Sequence, residues 1–189
     1  PADAAEAVDR VVHHAGWSDK VTAVLSTLNP VSQTYVNYSK IRPLGVVCAA
    51  PYVADGLLGM IEALAASAVM SNGTVLLVDA SQAELAVALG EALATSDFPA
   101  GVVNLLTGDQ GELLKEAARH DDVDALYLAG AAGAAIRETL DIEGARVMRR
   151  LLVVAGATNP ATPFELAKLA EVQTVWMSAY EPRGGAAAY

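Results

Sequence analysis

Five short, largely apolar runs alternate with segments of helical periodicity between residues 45 and 154. The runs lie at residues 45–50, 74–78, 102–106, 124–128 and 151–154. Continuous apolar runs of this length are typical of strands that are buried on both faces, as in parallel sheets. The intervening segments repeat apolar residues every three or four positions, as helices do. The pattern therefore predicts an α/β fold with an open, mostly parallel, five-stranded, Rossmann-like sheet and helices on both faces.

Capping residues indicate where the helices of this alternation begin. Asp55 follows the first predicted strand and Ser81 follows the second, and both residue types favour helix N-termini. Asp55 is the predicted cap of the most apolar helix, and Ser81 that of the next. A third helix is predicted over residues 110–119, and a fourth ends near Leu140. No internal repeat is visible.

The segments on either side of this region follow other patterns. Before it, helices are predicted over residues 4–15 and 18–25, and residues 31–41 alternate as a strand does. After it, a linker precedes a short helix that Pro163 begins, and residues 172–177 form a further strand. A tail around residues 183–186 is predicted to be mobile. The predicted divisions are N-terminal helices (1–30), a strand segment (31–41), the α/β domain (42–157), and the linker, helix, strand and tail (158–189).

Composition narrows the classes of partner and compartment. Hydrophobic residues make up 53% of the 189 residues and charged residues 18%, so the chain can bury a large core and is not predicted to be disordered. The net charge of −10 argues against binding to nucleic acid or to an anionic membrane surface. A single cysteine excludes an internal disulfide framework and fits a reducing compartment, so we expect a cytoplasmic protein.

Targeting signals are not evident in the sequence. No apolar run approaches the roughly 20 residues that a membrane-spanning helix needs. The first ten residues are acidic and lack the basic start of a signal peptide. The chain does not begin with Met, which indicates a processed chain or a piece of a longer one.

Candidate ligand-binding residues lie where the predicted parallel strands end, because open α/β sheets bind ligands at the carboxyl ends of their strands. The polar and small residues at these ends are Tyr52, Asp79, Ser81, Thr107, Asp109 and Gly130. Neither a GxGxxG pattern after the first strand nor a phosphate-binding GxxxxGK[ST] pattern is present. The GAAG segment at residues 130–133 fits a ligand-binding turn or close packing of a helix on a strand, and packing is the favoured interpretation.

The other reactive residue types do not form a catalytic or metal-binding set. Cys48 lies inside the first apolar run and is interpreted as a core residue. His13 and His14 are adjacent, so on a helix they point in different directions and do not form a metal-ligating pair. The arginines within residues 146–150 could bind an anion, but a charged start to the last strand is the favoured interpretation.

Four motifs of the chain together resemble the aldehyde dehydrogenase superfamily. Residues 14–20 (HAGWSDK) are similar to that family's YAGWADK, and residues 42–47 (RPLGVV) to its EPLGVV. The most specific match is FPAGVVNLLTG at residues 98–108, which resembles FPPGVVNIVTG. DDVD at residues 121–124 is similar to the end of HEDVD. The resemblance implies the family's cofactor-binding domain and its assembly hairpin, and VQTVW at residues 172–176 resembles the family's C-terminal oligomerisation strand.

The catalytic positions that the resemblance implies carry other residues. The family's PWNFP corresponds to PYVAD at residues 51–55, so Val53 replaces the Asn that helps to stabilise the oxyanion. Its LELGG corresponds to LVVAG at residues 152–156, so Val153 replaces the general-base Glu. The chain then passes from Gly156 to the C-terminal strand within a few residues, without the domain that carries the nucleophilic Cys. Cys48 does not align with that nucleophile.

The cofactor-binding positions also differ from the family pattern. KPAE, whose Lys and Glu hold the adenosine ribose, corresponds to VDAS at residues 78–81, where Asp79 adds a negative charge. FTGS corresponds to LAGA at residues 128–131, so the Ser near the pyrophosphate is absent. A vestigial cleft near Tyr52, Ser81 and Gly130 remains. No catalytic residue, metal or cofactor is therefore expected, and the cofactor would be NAD or NADP if one bound.

These differences lead to one main hypothesis and two alternatives. The main hypothesis is a catalytically inactive, aldehyde dehydrogenase-like module that assembles with itself or with an active aldehyde dehydrogenase. The C-terminal half of the two-part aldehyde dehydrogenases, a truncated and degenerate copy, resembles it. The first alternative is a sensor that binds a nucleotide or another small molecule in the vestigial cleft. The second is part of an active aldehyde oxidoreductase whose catalytic domain is supplied in trans.

Overall fold

Eight strands and seven α-helices make up the part of the chain that the computed structural model describes, which is residues 2–32, 34–130 and 134–179. The strands are β1 (Thr27–Asn29), β2 (Tyr35–Pro43), β3 (Val46–Ala50), β4 (Gly73–Asp79), β5 (Val103–Gly108), β6 (Ala125–Ala129), β7 (Arg150–Val154) and β8 (Ala170–Ser178). The helices are α1 (Ala2–Ala15), α2 (Val21–Leu25), α3 (Gly56–Val69), α4 (Ala83–Thr95), α5 (Gln110–Arg119), α6 (Ala134–Arg146) and α7 (Pro163–Leu166).

Strands β3 to β7 form a five-stranded sheet in the order β5-β4-β3-β6-β7, and every neighbouring pair is parallel. The predicted α/β fold is therefore confirmed, and each predicted apolar run contains most of one strand. The strand order reverses at β3, because the chain places β4 and β5 on one side of it and β6 and β7 on the other. In open α/β sheets a crevice forms at such a reversal, outside the carboxyl ends of the strands.

Alternate side chains of the sheet enter two separate cores. In β3, Val47 and Ala49 pack in the core that also contains Met60 of α3. Cys48 and Ala50 pack in the other core, which also contains Leu114 of α5. Because successive side chains of a strand point to opposite faces, these apolar runs require helices on both faces of the sheet.

The remaining strands form an antiparallel sheet in the order β1-β2-β8. Asn37 of β2 lies opposite Trp176 of β8, and Ile41 lies opposite Val172. The strand predicted over residues 31–41 corresponds to β2. Its predicted start at residue 31 was wrong, since β2 begins at Tyr35. The sequence also did not indicate β1, because a strand of three residues is too short to show an alternating pattern.

Two predicted helix caps act differently from the prediction. Asp55 precedes α3, but its carboxylate makes no capping hydrogen bond and instead accepts one from the backbone N–H of Ala157, at 2.7 Å. Ser81 lies inside a 3-10 turn, and Asp79 caps that turn by accepting from the Ser81 backbone N–H at 2.9 Å. Helix α4 begins only after this turn, at Ala83.

The C-terminal part agrees with the predicted helix and strand. Thr162 and Glu165 form a reciprocal capping box with Pro163 in the first turn of α7, which confirms that Pro163 begins a helix. A 3-10 turn, Ala167–Leu169, continues to β8. The predicted mobile tail at residues 183–186 lies outside the described residues. Among the helices that the structure describes, none has the length and apolar character required to cross a membrane.

Candidate functional site

The crevice at the reversal of strand order is bounded by Tyr52, which follows β3, and Gly130, which follows β6. Gly130 has a φ of +82°, and its backbone N–H donates to the carbonyl of Val154 at 2.9 Å. The Tyr52 ring lies against this backbone, so that a Cβ atom built on Gly130 would stand 2.3 Å from Tyr52 Cδ2. The ring thus occupies the space directly over Gly130.

Ser81, the third residue predicted for the cleft, is engaged by its own turn. Its hydroxyl donates to Asp79 Oδ1 at 2.6 Å, and its backbone N–H donates to the same atom. The hydrogen bond from the Ser81 hydroxyl lowers the pKa of Asp79 most, and the one from the Ser81 backbone N–H lowers it further. A charged carboxylate therefore stands at the carboxyl end of β4. The neighbouring Gln82 donates to the carbonyl of Val53 at 2.7 Å, which links this turn to the segment after β3.

Gln110 joins the carboxyl ends of two neighbouring strands. Its side-chain amide donates to the carbonyls of Pro51 and Leu77, each at 2.9 Å. Sequence reasoning assigned no role to Gln110, because nothing local to it indicates these two acceptors. Of the other predicted residues, Asp109 caps α5 by accepting from the Glu112 backbone N–H, and Thr107 is exposed on β5.

Asp55 holds the segment that follows β7 at the same edge of the sheet. Gly156 has a φ of +148°, and a Cβ atom there would stand 2.8 Å from Asp55 Oδ2. The same oxygen of Asp55 accepts the Ala157 N–H. Val53 and Val153 occupy the positions where the family resemblance implies a catalytic Asn and Glu, and each is about two-fifths exposed at 37% and 40%. Neither valine side chain can donate or accept a proton.

A buried cluster of charged residues lies beneath this segment, and it was not predicted from the sequence. Arg10 of α1 donates to Glu62 Oε2 of α3 at 2.6 Å, and His14 Nε2 lies 3.0 Å from the same oxygen. Glu62 Oε1 accepts the backbone N–H of Ala161 at 2.9 Å, and Arg10 also donates to the carbonyl of Ala157. The available signal was a single carboxylate within the most apolar helix, because a buried charge requires partners.

The pKa of Glu62 reflects two opposing effects. Burial raises the pKa. The hydrogen bonds from His14 and Arg10 and the nearby positive charge together lower it by more, so the net shift is downward. Glu62 is therefore the acceptor at the centre of the cluster. The His14 Nε2–H donates to it, which leaves Nδ1 buried without a partner.

The remaining candidates are structural. Cys48 is buried, and burial raises the pKa of its thiol to about 11, as expected for a core residue and not for a nucleophile. Arg149 is buried and donates to backbone carbonyls that include that of Val123 at 2.6 Å, while Arg150 donates to that of Ala170. Among the residues that the structure describes, no group of three or more His, Cys, Asp or Glu is arranged to hold a metal ion.

The open, parallel five-stranded sheet with helices on both faces defines an α/β protein with a Rossmann-like sheet. A sequence model of the aldehyde dehydrogenase family matches residues 1–184. The chain therefore belongs to the aldehyde dehydrogenase family.

Two curated relatives agree with this assignment. DhaS of Bacillus subtilis, which carries an aldehyde dehydrogenase name, is 33% identical over 159 residues, or 82% of this chain and 30% of DhaS. The mitochondrial aldehyde dehydrogenase of Leishmania tarentolae is 34% identical over 129 residues, or 68% of this chain and 25% of that protein. The chain thus spans less than a third of the length of these two relatives.

Solved structures share the fold at low sequence identity. The aldehyde dehydrogenase KauB from Pseudomonas aeruginosa superposes with a TM-score of 0.72 at 23% identity, covering 80% of this chain and 30% of KauB. PnpE from Pseudomonas sp. WBC-3, in its complex with nicotinamide adenine dinucleotide, gives a TM-score of 0.68 at 20% identity, covering 78% of this chain and 30% of PnpE.

Proposed function

We propose that this chain is a non-catalytic aldehyde dehydrogenase-like module that assembles through its antiparallel sheet with a second polypeptide of the same family. The observation that carries this proposal is the outer edge of β8. Within the described residues, β8 pairs with β2 only, so the other side of its segment from Glu171 to Met177 offers backbone for a further strand. Exposed strand edges are stabilised when another strand covers them.

The side chains of this sheet support the same interpretation. Val172 and Trp176 of β8 are exposed at 64% and 63%, and the Trp176 ring makes an edge contact with Tyr35, with ring centroids 6.0 Å apart. Exposed aromatic residues are enriched at protein interfaces. Lys40, Arg42 and Glu171 lie on the opposite face of this sheet, because their positions alternate with that of Trp176. The face of Trp176 therefore carries no charged residue from β2 or β8, although the net charge of the chain is −10. The same charge disfavours nucleic acid as the partner.

Two valines support the non-catalytic half of the proposal. Val53 and Val153 replace a hydrogen-bond donor and a general base by the family resemblance, and neither side chain can stabilise an oxyanion or move a proton. Loss of one oxyanion donor alone typically lowers a rate about 10² to 10³-fold. Cys48 supplies no alternative nucleophile, because its thiol is buried and neutral at pH 7.

Two features of the crevice oppose the binding of a dinucleotide. The Tyr52 ring occupies the space over Gly130, where a ligand would approach the backbone. The carboxylate of Asp79 stands at the end of β4, where the resemblance implies the ribose anchors, and it would repel a pyrophosphate. A module kept for its surfaces therefore agrees better with these residues than a nucleotide sensor does. A reducing, cytoplasmic location stays a prediction.

Sedimentation analysis of the purified chain tests the assembly. We expect a mass above the 19.5 kDa of one chain, either alone or mixed with a full-length family member such as DhaS. Trp176→Ala should shift the mass toward that of one chain. Phe164→Ala is the matched control, since Phe164 is an exposed aromatic residue outside the sheet, and it should leave the mass unchanged. A single-chain mass under both conditions would overturn the proposal.

Calorimetric titration with NAD and with NADP separates the alternatives. We expect no heat of binding to the unmodified chain. Saturable binding that Asp79→Asn strengthens would instead support a nucleotide sensor in the cleft. Hydride transfer that arises only when the chain is mixed with a partner would support a dehydrogenase whose catalytic domain is supplied in trans.

A further inference from the structure

Asn72 lies in the turn between α3 and β4, and its side-chain amide uses its whole hydrogen-bonding capacity. Its Oδ1 accepts the backbone N–H groups of Leu44 and Gly45 at 2.7 and 3.1 Å. Its Nδ2 donates to the carbonyls of Ser67 and Leu169 at 3.4 and 2.8 Å. An amide offers two acceptor sites and two donor hydrogens, so all of them are used. The residue is 1% exposed.

These four hydrogen bonds join three parts of the fold. Leu44 and Gly45 connect β2 to β3, Ser67 lies near the end of α3, and Leu169 directly precedes β8. Asn72 therefore lies where the antiparallel sheet meets the parallel sheet. All four partners belong to this chain, so the arrangement does not depend on what contacts its outer surface.

The residue that follows Asn72 makes this asparagine chemically distinct. Asn72-Gly73 is the only Asn-Gly pair among the five asparagines of the chain, and the others precede Pro, Tyr or Leu. Because glycine has no Cβ atom, its backbone nitrogen can approach the side-chain carbonyl of the preceding asparagine with little hindrance. In a flexible chain this nitrogen attacks the asparagine Cγ and closes a five-membered succinimide ring.

The reaction converts the amide to an acid and consumes only water. The Gly73 nitrogen loses its proton and bonds to Asn72 Cγ. The Cγ–Nδ2 bond breaks, and the amino group leaves with the bonding electron pair and that proton as ammonia. Water then opens the ring at one of its two carbonyls. One opening gives aspartate, and the other gives isoaspartate, whose backbone runs through the former side chain.

The native fold holds both reacting groups in other interactions. The Gly73 N–H donates to the carbonyl of Gly45 at 2.9 Å, and the Thr74 N–H donates to that of Val102 at 2.8 Å. The Asn72 amide cannot turn toward the Gly73 nitrogen without breaking its own four hydrogen bonds. Ring closure therefore requires the junction to open, by local or global unfolding.

Neither product can rebuild the junction. An aspartate carboxylate has no hydrogen to donate to the carbonyls of Ser67 and Leu169, and burial of its charge beside two carbonyl oxygens is unfavourable. An isoaspartate adds a methylene group to the backbone directly before β4. This would displace the Gly73 and Thr74 N–H groups from their acceptors.

We propose that Asn72-Gly73 is a deamidation site that the native fold protects, and that its modification in the unfolded chain makes unfolding irreversible. Chemical modification of the unfolded state is a general cause of irreversible unfolding. The inference does not rest on the proposed assembly or on the absence of catalysis, because only Asn72, Gly73 and their hydrogen-bond partners carry it.

Incubation of the full chain at mildly alkaline pH, with and without denaturing urea, tests the protection. Peptide mapping by mass spectrometry measures the aspartate and isoaspartate formed at position 72. We expect conversion in urea and conversion that is at least about 10²-fold slower in the native chain. Asn104 is the internal control, since it is exposed in the native chain and precedes Leu105, and it should keep its amide in both states.

Gly73→Ala is the matched variant for the chemistry. A Cβ atom at Gly73 would have its nearest neighbouring atoms at 3.9 Å, and Gly73 does not have a positive φ, so the variant should fold. Its methyl group shields the attacking nitrogen, and we expect deamidation in urea to be about tenfold slower than in the unmodified chain.

Refolding after increasing times in urea tests the irreversibility. After dilution, the fraction of the unmodified chain that recovers its circular dichroism should fall in step with the fraction deamidated at Asn72. Gly73→Ala should keep its ability to refold over the same times. Asn72→Asp, which carries one of the two products, should unfold at a lower urea concentration than the unmodified chain.

Three outcomes would overturn the proposal. The first is deamidation of Asn72 at equal rates in the native and the unfolded chain. The second is deamidation in urea that Gly73→Ala does not slow. The third is refolding that deamidation leaves intact, or that is lost equally in Gly73→Ala. None of these measurements depends on the mass of the assembly, so failure here is distinguishable from failure of the β8 proposal.

Discussion

The ring of Tyr52 lies against the backbone of Gly130, at the point where the order of the parallel strands reverses. The two residues are 78 positions apart in sequence and follow neighbouring strands. Gly130 accommodates the ring because it has no Cβ atom and because its φ of +82° is readily adopted by glycine.

Gly130→Ala should therefore destabilise the protein. The added methyl group meets the Tyr52 ring, and the positive φ is strained for alanine, so we expect a loss of about 1–3 kcal/mol in the free energy of unfolding. Adding Tyr52→Ala should remove the steric part and leave the backbone part. Gly90→Ala is the control, since it lies within α4 with its nearest neighbouring atom at 4.0 Å, and it should stabilise by about 0.5–1 kcal/mol. Urea denaturation measures all three changes.

The buried ion pair between Arg10 and Glu62 should be sensitive to the loss of either partner. Arg10→Met leaves the Glu62 carboxylate with only His14 and the Ala161 N–H, and Glu62→Gln leaves Arg10 buried without a carboxylate. Breaking a buried pair in this way costs about 3–5 kcal/mol. The double variant should cost less than the sum of the two, because neither charge then remains. Asp141→Asn breaks the exposed pair with Arg137 and should cost less than about 1 kcal/mol. Additive effects at Arg10 and Glu62 would contradict this account.

Glu62 should also make the free energy of unfolding sensitive to acid. Its pKa is lowered in the folded protein from the usual 4.5, so the folded state favours the carboxylate. The stabilisation is therefore complete above pH of about 4.5 and is lost as the pH falls through the lower, folded-state value. Denaturation curves recorded from neutral to acidic pH should become less pH-dependent in Glu62→Gln. An unchanged acid slope in that variant would assign the effect to other carboxyl groups.

Cys48 should be unreactive in the folded protein. Burial raises the pKa of its thiol to about 11, so almost no thiolate is present at pH 8. A thiol reagent at pH 8 should therefore label the native chain slowly and the urea-unfolded chain rapidly. Rapid labelling of the native chain would indicate an accessible thiolate and would contradict the core assignment.

The parallel sheet could be predicted because its signal is local. Strands such as β3 and β6 are buried on both faces, so they appear as continuous apolar runs wherever they pair. The start of α7 at Pro163 could be predicted for the same reason, since the signal is the proline itself. By contrast β1 has only three residues, and its pairing with β2 is required to define it.

The contacts around the crevice could not be predicted in this way, because their partners are distant in the chain. Asp55 is suited to a helix cap, but its carboxylate binds a backbone N–H 102 residues away. Glu62 binds the Ala161 N–H across 99 residues, and Gln110 binds the Pro51 carbonyl across 59. Glu62 stands out locally as a single carboxylate within an apolar helix, but no local pattern identifies the partners of these side chains.

The sequence by itself determined the α/β class, the strands of the parallel sheet and the family resemblance, because apolar periodicity and contiguous motifs are properties of short segments. Only the tertiary structure decided that the Tyr52 ring covers Gly130 and that Asp55 holds the segment after β7. These features depend on how distant segments pack in three dimensions, and burial and hydrogen-bond geometry exist only once that packing is formed.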